Sequence, residues 1–158
     1  MRRRDRQITD INRILDILDQ SAVARIAMVT KENTPYIVPM NYGYTYIEGA
    51  LCLYFHCANE GRKLDILKQN NNVCFEIGSA HSLITGGQPE AYSYAYESII
   101  GFGKVSFLMT EEEKIRGLNV LFRHQTGRDI QCDLDPAALK ATTVFALTVE
   151  EFTAKRNK

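Results

Sequence analysis

The chain has 158 residues, enough for one domain whose core needs no metal or disulfide staple. At 45% hydrophobic and 24% charged it reads as an ordinary globular protein, which excludes collagen-like, disordered and membrane classes. Nineteen basic residues balance nineteen acidic ones, so the positive excess that gives a general nucleic-acid binder its affinity is missing.

The one dense charge run, Arg2-Arg3-Arg4-Asp5-Arg6, reads as a solvated arm. Ile8, Ile11, Ile14, Leu15 and Leu18 follow at helical spacing and predict an amphipathic helix over 7–20. Asp10, Asn12, Arg13 and Asp16 interrupt that stretch, so it is no signal peptide, and no run approaches the ~18 apolar residues of a membrane span. A cytoplasmic protein without membrane or nucleic-acid partners is expected. Residues 21–30 are β-rich, Lys31-Glu32-Asn33 turns the chain, and 34–46 forms a second extended run. Pro39 in that run cannot donate to a sheet ladder and should face a gap, a bulge or a ligand. Glu48-Gly49 leads into a third strand over 50–57, and the three segments predict an antiparallel meander.

Glu60-Gly61-Arg62-Lys63 opens a short helix with Leu64, Ile66 and Leu67 inward, and Asn70-Asn71-Asn72 stops it. Val73–Ile77 is a fourth strand, and the glycines and proline of 78–91 read as a loop. A long aromatic and β-branched strand covers 92–109, with Gly101 and Gly103 marking a bend or bulge. Thr110 and Glu113 form a capping box for a helix that ends near Gly127. A helical turn at 135–138 precedes the last strand, 142–152. With no linker to divide it, the chain is expected to form one domain, 1–158. The fold class is mainly β with helices (α+β), a six-stranded antiparallel split β-barrel. The regular strand–helix alternation of a doubly wound sheet is absent.

Cys52, Cys57, Cys74 and Cys132 form no C-x-x-C, and His56, His81 and His124 are scattered, so no metal site is expected and the thiols read as structural. The start of the 62–69 helix is the candidate anion site. Free N–H groups and the positive helix end favour an anion there, Arg62 can fork onto phosphate oxygens and Lys63 adds a point charge. The same spacing also suits two solvated helix residues. His56 alternates with Cys52 and Tyr54, opposite the apolar set Leu51, Leu53, Phe55 and Cys57, and so points away from the core. A lone strand histidine also suits a purely structural role.

Three blocks in order then carry a resemblance that covers nearly the whole chain. Arg25–Val29 with Pro35–Tyr44 resembles the first hairpin of the pyridoxamine 5′-phosphate oxidase-like split-barrel superfamily. Phe55-His56-x-Ala58-x-x-Gly61-Arg62-Lys63-Leu64 and Tyr96-x-Ser98-Ile99-Ile100-Gly101-Phe102-Gly103 are similar to its nitroimidazole-resistance (Nim-type) branch, as are the N-terminal Arg-Arg-x-Asp-Arg and Arg123-His124-Gln125-Thr126-Gly127. The resemblance implies a homodimer with two FMN sites at the interface and a small electron-poor aromatic substrate. By position, Arg62 and Lys63 hold the FMN phosphate, with Gly61 beside them. The backbone of Val38, Pro39, Met40 and Asn41 lies along the isoalloxazine edge. Phe55 and His56 border the ring or ribityl chain, and Glu97 and Ser98 approach the flavin from the partner subunit. His56 is the implied catalytic residue, lining the substrate site or donating a proton, with Tyr54 further along the cofactor. The C-terminal arginine block of true pyridoxamine phosphate oxidases has no counterpart in 150–158, so vitamin B6 oxidation is not expected. Two alternatives stay open: a non-enzymatic flavin-binding protein, and a haem-binding split barrel with His56 or His124 as axial ligand.

Overall fold

The computed structural model describes residues 3–157; Arg2 of the basic run and Lys158 lie outside it. After a 3-10 turn at Arg4–Arg6 the elements are β1 (Gln7–Ile8), α1 (Ile11–Gln20), β2 (Val23–Val29), β3 (Pro35–Asn41), β4 (Gly43–Ile47), β5 (Ala50–Ala58), α2 (Arg62–Gln69), β6 (Asn72–Ile84), β7 (Ser93–Leu108), α3 (Glu111–Thr126), α4 (Pro136–Lys140) and β8 (Thr142–Asn157). The sheet runs β3-β2-β6-β7-β8-β5-β4, all neighbours antiparallel, and β1 pairs with the end of β8.

That order explains the shape. β3 and β4 are the two outermost strands of the main path, yet only Tyr42 separates them in the chain. The sheet must therefore curl until its edges approach, and it closes into a barrel left unpaired between β3 and β4. This is the expected split barrel, with eight strands rather than six. It also corrects the meander. The run over 34–46 breaks at Tyr42, pairs its first half with β2 and its second with β5, and never pairs with itself. As an edge strand, β3 is where a sheet tolerates Pro35 and Pro39.

Three other boundaries move. The last strand, expected to end at 152, runs on to Asn157. The N-terminal helix begins at Ile11 because Asp10 caps it, accepting from Asn12 N at 3.0 Å; Ile8 joins the core from β1 instead. The predicted loop over 78–91 is strand as far as Ile84, carried past its glycine by a one-residue bulge between Ser79 and Ser82. The α3 start holds as read, with Glu113 N on Thr110 Oγ1 at 3.2 Å and Thr110 N on Glu113 Oε2 at 3.0 Å. Gly127 ends it at φ 65°.

Tyr42, Phe55, Phe75 and Phe145 are fully buried at the centre, with Ile17 and Leu18 of α1 closing over them. Among these, Phe55 stacks on Phe145 at 5.3 Å. The α3 helix lies across β4 and β5. Its closest approach is at Gly43, where a methyl group would stand 2.5 Å from Leu121 Cα and Val120 O. Both are main-chain atoms, so no side-chain movement relieves the contact.

Candidate flavin site

β5 and α2 build the predicted anion site. Leu51, Leu53 and Phe55 point inward and are buried, which turns His56 outward. The loop that follows is pinned by Asn59, whose Nδ2 donates to Lys140 O at 2.8 Å and whose Oδ1 accepts from Thr143 Oγ1 at 2.7 Å. Gly61 then takes φ 134°, a region that L side chains rarely adopt, and α2 starts at once. No side chain caps this helix. Leu64 N and Asp65 N turn back to Gly61 O, at 2.9 and 3.3 Å, while Arg62 and Lys63 bring two cations to the same end. Among the described residues neither cation pairs with a carboxylate. An uncapped helix start with two cations free of carboxylate partners favours an anion, so these residues fit the phosphate of a flavin nucleotide.

The Arg62 guanidinium sits 4.8 Å above the Tyr36 ring. This brings edge strand β3 beside α2, although nothing in the sequence links Tyr36 to Arg62. Val38 is half-buried, Pro39 and Asn41 are exposed, and the Met40 side chain is buried, so at that position only the backbone is open to a ligand. His56 is exposed, but desolvation against the sheet, and next the Lys63 ammonium, hold its pKa below the ordinary histidine value. It therefore reaches the neutral range as an uncharged ring, a hydrogen-bonding group more than a ready proton donor.

Other predicted residues go elsewhere. The Phe55 side chain is a core residue, so at that position only the backbone is open to a ligand. Tyr54 lies under α3, lining a cleft of about 520 Å³ with Thr45, Glu113, Arg116 and Asn119. Glu97 is 3% exposed and faces the interior, where Arg13 of α1 binds both its oxygens at 2.7 Å; its carboxylate is committed within the chain. Ser98, the next residue, faces outward and is half-buried. Arg13 was missed because it looked like one more polar residue of an amphipathic helix. His124 is no free axial ligand, since both its ring nitrogens sit against backbone carbonyls, Nδ1 on Tyr42 O at 2.7 Å and Nε2 on Leu18 O at 2.9 Å. The four cysteines are free, and burial raises the pKa of each thiol, as expected of structural residues.

The model of the family described as pyridoxamine 5′-phosphate oxidase matches residues 10–156. The chain belongs to that family. A candidate 5-nitroimidazole antibiotic resistance protein from Bacteroides thetaiotaomicron is 34% identical, with a TM-score of 0.82 over 95% of this chain and 86% of its own. Together these put the chain in the Nim-type branch of the split-barrel superfamily. Two further structures share the fold: the FAD and heme binding protein from Mycobacterium smegmatis, and the flavocytochrome Anf3 from Azotobacter vinelandii. The first is 20% identical with a TM-score of 0.81 over 97% of this chain and 74% of its own, the second 18% with 0.80 over 100% and 72%. No curated protein matches the chain. No helix among the described residues is long and apolar enough to cross a membrane.

The two causes of the His56 shift are separable. Lys63→Ala removes a nearby positive charge and so favours the protonated ring. The His56 titration followed by NMR should move up while staying below the ordinary value, because burial remains. An unmoved titration would place the Lys63 ammonium away from His56.

Proposed function

We propose that the chain is an FMN-dependent oxidoreductase acting on small electron-poor aromatics, nitroimidazoles among them, as a cytoplasmic homodimer with its flavin sites at the subunit interface. The observation that carries this reading is the uncapped start of α2 with its two unpaired cations, lying beside the unpaired edge of the barrel. One helix start and two cations suit the single phosphate of FMN. Bound there, FMN supplies transfer of electrons from a nicotinamide or another donor to the aromatic ring. Gly61, Arg62 and Lys63 hold the phosphate, the backbone of Val38–Asn41 runs along the flavin edge, and His56 offers a hydrogen bond to the substrate. The free thiols suit a reducing compartment.

The outer face of the sheet supports the dimer. Ile37 is 59% exposed, Ile100 46% and Phe102 49%. The pairings Ile37↔Ala27, Ala27↔Cys74 and Cys74↔Phe102 run straight across four strands, so Ile37 and Phe102 belong to one exposed apolar band. Such a band marks an interaction surface. A second copy of the chain covers it and walls the flavin site, which a single chain leaves open. Light scattering should give the mass of two chains, and Phe102→Glu should shift it toward one. A wild-type monomer that binds FMN at full affinity would refute the shared site.

Arg62→Ala with Lys63→Ala should weaken FMN binding by about tenfold or more, a loss of ~1.4 kcal/mol or greater, and leave riboflavin binding nearly unchanged. Equal loss of both ligands would remove the phosphate from this helix.

His56→Ala should keep FMN and lower nitroaromatic turnover by about tenfold, the loss of one substrate hydrogen bond worth ~1.4 kcal/mol. His56→Gln, which keeps hydrogen bonding without titrating, should restore much of it, because the ring is held uncharged. Turnover unaffected by either change would make His56 structural. Flavin binding without any nicotinamide-dependent turnover would favour a flavin-binding protein with no enzymatic role.

A further inference from the structure

The Arg123–Gly127 segment has no part in the proposed cofactor site, yet it carries the densest side-chain hydrogen bonding to main-chain carbonyls. His124 Nδ1 stands 2.7 Å from Tyr42 O, and Nε2 stands 2.9 Å from Leu18 O. A carbonyl oxygen only accepts, so a ring nitrogen bonds one only as a donor; Nδ1 also stands 3.3 Å from Gln125 Nε2, a donor it can accept from when it carries no proton. Gln125 Nε2 donates to Tyr42 O at 2.8 Å and to Ala22 O at 3.0 Å. Its Oε1 accepts from Asn41 Nδ2 at 3.2 Å, and that same amide donates to Ala22 O at 3.1 Å. The Tyr42 hydroxyl adds a bond to Leu18 O at 2.8 Å.

The Tyr42 ring lies 4.6 Å from the imidazole and tilted, and the Tyr44 ring is edge-on at 5.5 Å. Asp19, at the end of α1, faces the same cleft and accepts from the Tyr44 hydroxyl at 2.6 Å. Arg123 is the other charged group there, and it is exposed. Leu18 O belongs to the last turn of α1 and also accepts from Ser21 N at 3.3 Å, besides the Tyr42 hydroxyl.

These bonds converge on Asn41 and Tyr42, where the chain leaves one edge of the barrel and enters the other. The preceding residues, Val38–Asn41, are held by the sheet on one side only, through β2. We propose that His124 and Gln125 form a latch on Asn41–Tyr42 that fixes the backbone of Val38–Asn41 at the position the flavin edge requires. The role of the latch toward the flavin rests on the function proposed above; the latch itself does not. His124 and Gln125 are positioning residues, since they reach the site through β3.

Hydrogen exchange on flavin-free His124→Gln and Gln125→Ala should rise at Met40–Gly43 by about tenfold or more and stay unchanged in β5. Unchanged exchange at Met40–Gly43 in both variants overturns the latch. Gln125→Ala keeps the test open if His124→Gln does not fold. With FMN added, both variants should bind it about tenfold more weakly, and its visible band should show less fine structure than that of the wild-type complex. Unchanged affinity and spectrum, with faster exchange, overturn the positioning role. A wild-type chain that binds no FMN, with the faster exchange still seen in both variants, keeps the latch and removes the flavin reading alone.

Discussion

The fold turns on the passage from β3 to β4 at Tyr42. Two strands adjacent in sequence stand at opposite ends of the main sheet path, and the residue between them has to face the barrel interior for the edges to meet. Tyr42 does this with a fully buried ring 6.4 Å from Phe55 and a hydroxyl that finds Leu18 O. A buried phenol without a partner would cost roughly 1–3 kcal/mol, so the carbonyl of α1 is as necessary as the ring's burial. Burial also pushes the Tyr42 pKa far above the usual phenol value, which keeps the hydroxyl a donor. Gly43 follows because α3 must come within main-chain contact to reach the same point. One crossover thus ties α1, α3 and the two unpaired edges together.

The candidate site is a consequence of that geometry. A fully closed barrel would pair β3 with β4 and leave no open edge beside α2. Here the edge stays open, and Arg62 reaches across to Tyr36. The helix start is uncapped, which is a modest cost in an isolated helix and a gain once an anion arrives. The loop before it is held by Asn59 between two segments of the chain, so the two cations are presented from a fixed base.

Much of this was legible from residue order alone. The capping box at Thr110, the stop at Gly127 and the outward turn of His56 depend on neighbours within one element, and local patterns report such neighbours well. The break at Tyr42 was hidden because both halves of 34–46 have the same extended pattern; only the pairing partner changes, and pairing is not a local property. The strand beyond Gly78 was hidden by a bulge that carries the ladder past a loop-like composition. Phe55 shows the limit of motif transfer: its position in the block beside His56 suggested a ligand wall, while the alternation of β5 already turned it inward. Glu97 needed knowledge of Arg13, far away in sequence, before its carboxylate had a place inside the barrel.

That last pair also explains how β7 serves two faces. A carboxylate that is 3% exposed is tolerable only with its charge and lone pairs answered, and Arg13 answers both oxygens while anchoring α1 to the sheet. Alternation then sends Ser98, Ile100 and Phe102 to the other side, with Glu97, Ile99 and Gly101 inward. The acid of this stretch is thereby removed from the surface, while Ile100 and Phe102 stay on the outer face, opposite Glu76 of β6 and Glu151 of β8. Inverting the register by one residue would put Glu97 on that face and two large hydrophobics in the interior, so the buried ion pair fixes which side of β7 is free to meet another surface.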